Sequence, residues 1–221
     1  MDTLEAIRKR RSIRKYKDQP VEWEKIVNIV DSARFAPTSG NIQNWKLVVI
    51  RESPNKKLIV KACHDQQWIV EADTIIAVIG EPEPAARYYG VRGEHLYTIQ
   101  NATAVIENIL LAATDQGLGS CWVAAFDEDL MRRALMLPEE IIPLAVVTIG
   151  YPDEKPDMPP RTEPQHMIFL EKFKGSRKLP MRGYYSQKTQ QTAKRTSKAL
   201  NRASVKIKEK IKALKEKRKQ S

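Results

Sequence analysis

The stretch GLGSCWVAAFDE, residues 117–128, compresses the end of one helix, a strand and the start of another helix into twelve positions. Gly117 offers the conformational freedom with which helices commonly end. GSCWVAA (119–125) reads as a strand, and Asp127 is placed to cap a helix running through Leu130, Ala134 and Leu135. Immediately upstream, Leu96, Ile99, Ala102, Ile106, Ile109, Leu110 and Ala113 fall on more than one face of a helix over 95–116, which suits burial in a core or a subunit interface. Downstream, PLAVVTIGYP (143–152) is another strand.

The rest of the chain keeps this alternation. Asp2 or Thr3 can cap a first helix, with Glu5 completing a capping box around Leu4 and Ile7. Trp23, Ile26, Val27, Val30 and Ala33 recur at helical spacing until Pro37 stops the pattern. NWKLVVI (44–50) and DTIIAVIG (73–80) are strands, and between them Ser53 and Pro54 open a short helix through Leu58, Ile59 and Ala62. These elements predict a sheet covered by helices on both faces. The proline- and charge-rich segment 152–186 has no clear period and reads as an extended arm, giving one domain over 1–186 and a tail over 187–221.

The 221 residues carry a formal charge of +11, but the charge is unevenly placed. Residues 187–221 hold 13 Lys or Arg against Glu209 and Glu216, so the domain ahead of them is neutral, with 25 basic and 25 acidic side chains. Within the tail, Leu200, Ala203, Ile207, Ile211 and Leu214 form a narrow apolar stripe on a lysine-rich helix. Docking on the protein itself, contact with an anionic membrane or nucleic acid, and partial disorder are the competing readings. Lone helices of this type are marginal in water, which favours docking or partial disorder, and no aromatic residue interleaves the lysines for single-strand stacking; no dedicated nucleic-acid or membrane partner is expected. No apolar run is long enough to span a bilayer and no secretory leader is evident, which predicts a soluble, cytoplasmic protein. Cys63 and Cys121 have no CxxC partner, and His64, His95 and His166 lack metal-ligand spacing, so no metal site is expected. Cys121 reads as a small buried hydrophobe.

Against the neutral body, RKRRSIRKY (8–16) concentrates six basic residues in nine positions. Arg10, Ser12 and Arg14 alternate, so in an extended segment two guanidinium groups and a hydroxyl share one face. The planar fork of arginine suits paired, charge-assisted hydrogen bonds to phosphate, which makes the segment a candidate anion socket. In APTSGNIQNW (36–45), Thr38, Ser39 and Asn41 surround a flexible Gly40 in a loop between helix and strand, where they can hydrogen-bond a polar ligand.

Taken in order, RRSIRKY, FAPTSGNIQNW, QQWIVEAD, GLGSCWVAAFDE and PLAVVTIGYP resemble the nitroreductase family of flavin mononucleotide (FMN) enzymes, over about residues 3–165. The resemblance implies an α+β fold with a central mixed sheet, an interface-swapped C-terminal arm, and an obligate homodimer with two flavins at the subunit interface. It implies that Arg10, Arg11, Ser12 and Arg14 hold the phosphate, ribityl chain and pyrimidine edge, Arg14 nearest the ring. Pro37, Thr38, Ser39 and Asn41 come from the partner chain. Gln66 matches the glutamine that reaches the pyrimidine edge, the backbone of Ala124 and Ala125 faces the hydride-accepting nitrogen, and Arg161 closes over the phosphate. The segment 81–97 falls where the family places a pocket and lid loop, making Tyr88, Tyr89 and His95 candidate substrate contacts. Asn44 stands where many relatives have proline, and Ala124 and Ala125 where glycine or glutamate is common; these departures bear on substrate preference.

The implied activity is ping-pong transfer of hydride from NADH or NADPH through FMN to a small-molecule acceptor such as a nitroaromatic or quinone, with no catalytic acid assigned. Two alternatives stand beside it. One is a specialised flavin reaction, reductive dehalogenation or flavin fragmentation; the other is a nucleic-acid or membrane-surface binder acting through the tail, with an inactive flavin-like body.

Overall fold

The computed structural model describes residues 1–176, and the basic tail expected at 187–221 lies outside them. Met1–Met158 form one compact unit and the chain from Pro159 a second. The first contains all four expected strands: β1 (Trp45–Ile50), β2 (Thr74–Gly80), β3 (Gly119–Val123) and β4 (Ile142–Gly150). They lie in the order β1-β2-β4-β3, and each neighbouring pair is antiparallel. The mixed character expected of the sheet is confined to one isolated parallel bridge, between Ser12 and Ser120, where the basic segment runs beside β3.

Because successive side chains of a strand point to opposite faces, β2 feeds two cores. Ile76 and Val78 join Ala145, Val147 and Ile149 of β4 on one face, beneath α2 (Trp23–Ala33) and α6 (Thr98–Asp115). Ile75 and Ala77 join Val146 on the other, beneath α3 (Ser53–Ala62), α4 (Trp68–Glu71) and α7 (Glu128–Leu135). Every residue of β2 is therefore buried, and its unbroken apolar run follows from helical cover on both sides.

Local signals account for most element ends. Asp2 caps α1 (Thr3–Lys9), its side chain accepting the Leu4 N–H at 3.3 Å. Gly117, at φ 74°, follows the end of α6, and Asp127 accepts the Leu130 N–H at 2.8 Å to cap α7. At α3 the cap is Glu52, one residue ahead of the expected serine, and Pro54 occupies the first turn.

Two expectations are corrected. The buried stripe of α2 is Ile26, Ile29 and Ala33, while Trp23 and Val27 are 58% and 59% exposed. Ile99 on α6 is likewise exposed. The loop expected at 81–97 is helical: α5 (Pro82–Arg92) breaks at Gly90 (φ 57°, ψ −145°) and leads through a π-helical turn, Gly93–Tyr97, into α6. Its two prolines obscured the helix, but both sit in the first turn, where no intrahelical N–H is required. Gly93 is obligatory, since a Cβ there would lie 2.1 Å from the Ala85 carbonyl oxygen.

From Pro159 the described chain has a single short helix, α8 (Pro164–Met167). Beyond it, an edge-to-face pair of Phe169 and Phe173 (5.2 Å) accompanies a hydrogen bond from the Leu170 N–H to Ser176 O at 2.8 Å. Among the described residues no helix is long and apolar enough to cross a membrane.

Candidate active site

The alternation of the basic segment holds it against the sheet edge. Ile13 is buried with Tyr16 and Ala72, and its N–H donates to Ser120 O at 3.0 Å. Tyr16, also buried, donates its hydroxyl to Ile13 O at 2.6 Å and lies 2.7 Å from Thr148 Oγ1, and burial pushes its phenol well above the ordinary value. Glu154 Oε1 accepts the N–H groups of Arg14 (2.5 Å) and Lys15 (3.2 Å). The backbone is thus fixed from Ile13 to Tyr16, while Ser12 and Arg14 are exposed. The Arg14 guanidinium lies 5.8 Å from the Trp68 ring centroid, and Arg10 Nε is 3.6 Å from Glu107 Oε1.

Ser12 bridges Ser120 at the edge of β3, between Arg10, which ends α1, and Arg14. Burial pushes the nearby Cys121 thiol up, and Arg14, Ser12 and Arg10 oppose the rise. Arg11 turns differently. Its Nη1 donates to Arg8 O (2.7 Å) and Arg10 O (2.8 Å), and its Nε is buried without a partner, as is Ser120 Oγ on the adjoining strand. Arg8, Arg10, Arg11, Ile13, Gly119 and Glu154 line part of a cleft of about 480 Å³. Ser12, Arg14 and the 37–41 loop do not line it.

The second group of candidates lies ahead of β1. Pro37 and Asn41 are exposed, Thr38 and Ser39 half-buried, and left-handed backbone recurs at Gly40 (φ 54°), Asn41 (φ 58°) and Gln43 (φ 52°). Ser39 donates its N–H to Asn101 Oδ1 at 2.9 Å. A Cβ on Gly40 would come within 2.7 Å of the Tyr89 hydroxyl, so Tyr89 rests against this loop, its ring edge-to-face with Tyr97 at 5.1 Å. Tyr88 is 76% exposed, and the exposed His95 meets only Glu94, at 4.0 Å.

One chain does not bring these two groups together. Ser12 sits beside β3 at the level of Ile149, whereas the loop enters β1 at the level of Ile142, on the opposite edge of the sheet. Four strand spacings and about seven residues of strand separate them by roughly 30 Å.

The remaining candidates are dispersed. Gln66 is half-buried, donating Nε2 to Cys63 O at 3.0 Å, two residues before the Trp68 that faces Arg14. His64 and Asp65 before it are both left-handed (φ 55° and 56°). Ala124 and Ala125 are exposed just beyond β3, and Arg161 is exposed in the second unit. Sequence reasoning missed Glu154, Trp68 and Asn101. Trp68 stood in a motif already singled out, but nothing local marks a glutamate 140 residues away as the anchor of the Arg14 backbone.

An antiparallel sheet with helices on both faces defines an α+β protein, here with a basic segment laid along one sheet edge. Within that class, residues 7–73 and 58–151 match the sequence model described as the nitroreductase family, and the chain belongs to that family. A protein of Archaeoglobus fulgidus that carries an NADH dehydrogenase/NAD(P)H nitroreductase name is 33% identical, the match covering 71% of this chain and 88% of that one. An FMN reductase (NADPH) of Bacillus subtilis is 23% identical over 77% and 73%. Among solved structures, a nitroreductase family protein of Clostridium difficile 630 superposes with TM-score 0.70 at 30% identity, covering 78% of this chain and all of its own. An FMN-dependent nitroreductase of Clostridium difficile R20291 gives 0.67 at 25%, covering 77% and 99%.

Proposed function

We propose that this chain is an FMN-dependent NAD(P)H oxidoreductase that works as a homodimer. The observation that supports the reading is the basic segment's place along the free edge of β3, where Ser12 bridges Ser120 and the Ile13 N–H donates to Ser120 O, with Arg10 and Arg14 to either side of Ser12. The donor set fits a phosphorylated flavin: two guanidinium groups and a hydroxyl suit phosphate, and the buried, unpaired Arg11 Nε and Ser120 Oγ next to them are donors without a protein partner. The names of the Bacillus and Clostridium relatives, an FMN reductase and an FMN-dependent nitroreductase, agree with this chemistry.

When bound, the flavin supplies the chemistry, accepting hydride from a reduced nicotinamide and passing the reducing equivalents to a nitroaromatic, quinone or similar acceptor. The protein supplies binding and electrostatics. Arg10 and Ser12 hold the phosphate and ribityl chain; Arg14 and Gln66 serve the pyrimidine edge, where a fixed cation stabilises negative charge. The exposed Ala124 and Ala125 offer backbone donors with no bulky side chain, leaving a face that donor and acceptor occupy in turn.

The separation of roughly 30 Å between the arginines and the Thr38–Asn41 loop is the reason for a second chain, since a loop on the far sheet edge serves a partner's arginines better than its own. Apolar side chains left exposed on α1 (Leu4, Ile7), α2 (Trp23, Val27) and α6 (Ile99) supply a surface for that association, and the C-terminal arm is assigned to the partner as a swapped element.

Anaerobic titration of purified protein with NADH and NADPH, followed by a panel of acceptors, tests the proposal. Yellow protein that bleaches on reduction and recovers colour with an acceptor supports it. Colourless protein that takes up no added FMN defeats it.

A further inference from the structure

Behind the loop that precedes β1 lies a buried polar chain that belongs to neither core. Asn44, Asn101 and Thr98 are 1%, 3% and 0% exposed. Asn101 accepts the Ser39 N–H at 2.9 Å, and its Nδ2 donates to Ser39 Oγ (3.0 Å) and Asn44 Oδ1 (2.7 Å). Asn44 Nδ2 donates to Glu81 O and Thr98 Oγ1, both at 2.8 Å, and Thr98 donates onward to Gly93 O at 2.9 Å. The Glu81 N–H returns a bond to Asn44 O at 2.9 Å. Both hydrogens of each amide are used, and each orientation is forced: turning Asn44 over would set its NH₂ against that of Asn101.

We infer that Ser39, Asn101, Asn44 and Thr98 form a positioning relay, which locks the Thr38–Gln43 loop to the segment Glu81–Tyr97 so that both move as one wall of the acceptor pocket. This rests on the flavin reading for the identity of the pocket, though the mechanical coupling stands without it.

Three observations carry it. The relay's two ends are the loop assigned to flavin contact and the segment bearing Tyr88, Tyr89 and His95, and Tyr89 packs on Gly40 at their direct junction. Both ends hold unusual backbone, with left-handed Gly40, Asn41 and Gln43 on one side and the Gly90 break with its π-helical turn on the other. Such backbone persists where its surroundings over-determine it, and it gathers at ligand sites. Finally, a wholly polar buried chain gains little stability over apolar packing but specifies a single arrangement. Asn44 is the central link, bonded to Asn101 on one side and to Thr98 on the other, and the relay makes Asn44, Asn101 and Thr98 positioning residues for acceptor selectivity.

The test is hydrogen exchange on the flavin-free full-length protein, comparing wild type with Thr98→Val, which keeps the shape and removes the hydroxyl, and Thr98→Ser, which restores it. Thr98→Val should raise exchange about five-fold or more in both 38–43 and 81–97, leave α7 unchanged, and be reversed by Thr98→Ser. Asn101→Asp, which keeps the acceptor for Ser39 but removes the donor to Asn44, should act alike if Thr98→Val folds poorly. In flavin-loaded enzyme the same variants should raise acceptor KM several-fold with kcat held within about two-fold. A rise confined to one segment, a uniform rise across the chain, failure of serine to restore protection, or unchanged acceptor KM overturns the relay. A protein that never loads flavin defeats the functional reading, and exchange alone then decides the coupling.

Discussion

Replacing Arg14 with alanine separates a binding role from a structural one, because the backbone of this residue is held independently of its side chain. Its N–H is taken by Glu154 and its neighbours are fixed by Ile13 and Tyr16, while the guanidinium reaches outward over Trp68. Arg14→Ala should therefore leave the unfolding temperature within about 2 °C of wild type, as for other exposed substitutions. A hydrogen bond to a charged group contributes about 1.5–3 kcal/mol, and the exposure of Arg14 argues for the lower end, so the FMN dissociation constant should rise about ten-fold. If the cation favours the reduced, anionic form by a further ten-fold, the two-electron potential should fall by about 30 mV, the ordinary conversion for a two-electron couple. Fluorescence quenching of added FMN measures the first quantity and a dye-equilibrated reductive titration the second. Arg14→Lys should fall between wild type and alanine, since it keeps the charge but loses the fork. Lys57→Ala, removing the same charge from the exposed side of α3, is the control. An unchanged dissociation constant and potential in Arg14→Ala, or an equal change in the Lys57 control, refutes the placement of Arg14 at the flavin.

Other perturbations address the framework. Met131 is fully buried among Val123, Val146 and the α3 residues, so Met131→Ala should cost about 2–5 kcal/mol in chemical denaturation. Gly93→Ala drives a Cβ into the Ala85 carbonyl, and an overpacking cost of about 1–3 kcal/mol should appear, with faster exchange in 81–97 preceding global unfolding. Alkaline stability has a defined sign: burial pushes Cys63 from 9.0 to about 12, so the folded chain retains a proton that the unfolded chain releases across that window. Its contribution is intact below pH 9 and is lost as pH rises through 12, with Tyr16 shifted in the same direction. The denaturation midpoint should decline above pH 9, and Cys63→Ala should make the decline shallower; an unaltered slope counts against the assignment.

The elements that were legible in the sequence are those whose signal is local. Asp2, Asp127 and Gly117 mark helix ends through their own backbone and side-chain chemistry, and the four strands announce themselves as apolar runs bounded by turns. What failed did so for physical reasons of range. Trp23 and Val27 carry the right spacing for a core helix, but periodicity does not say whether an apolar stripe meets its own sheet or another molecule. The prolines of Glu81–Pro84 read as loop because the rule that demotes proline weakens at a helix start, and only the packing of Gly93 on Ala85 shows that the helix forms. Antiparallel pairing was likewise invisible, since strands covered on both faces are apolar throughout whichever way their neighbours run.

The candidate site divides along the same line. The two-residue period of Ser12 and Arg14 was readable because the extended stretch around Ile13 lies beside β3, where Ser12 bridges Ser120 and Ile13 is buried. Asn44, Asn101 and Thr98 were not readable, because each is an ordinary polar residue within its own segment and gains meaning only when helix α6 passes behind the loop. The arginines set what can bind, a matter of charge that tolerates some looseness. The amide chain sets where two pieces of backbone stand relative to each other, and here geometry admits little slack: a buried donor displaced from its acceptor costs more than the bond was worth. On the proposed reading, anion affinity and acceptor choice rest on separate parts of the fold, so either should change by mutation while the other is retained.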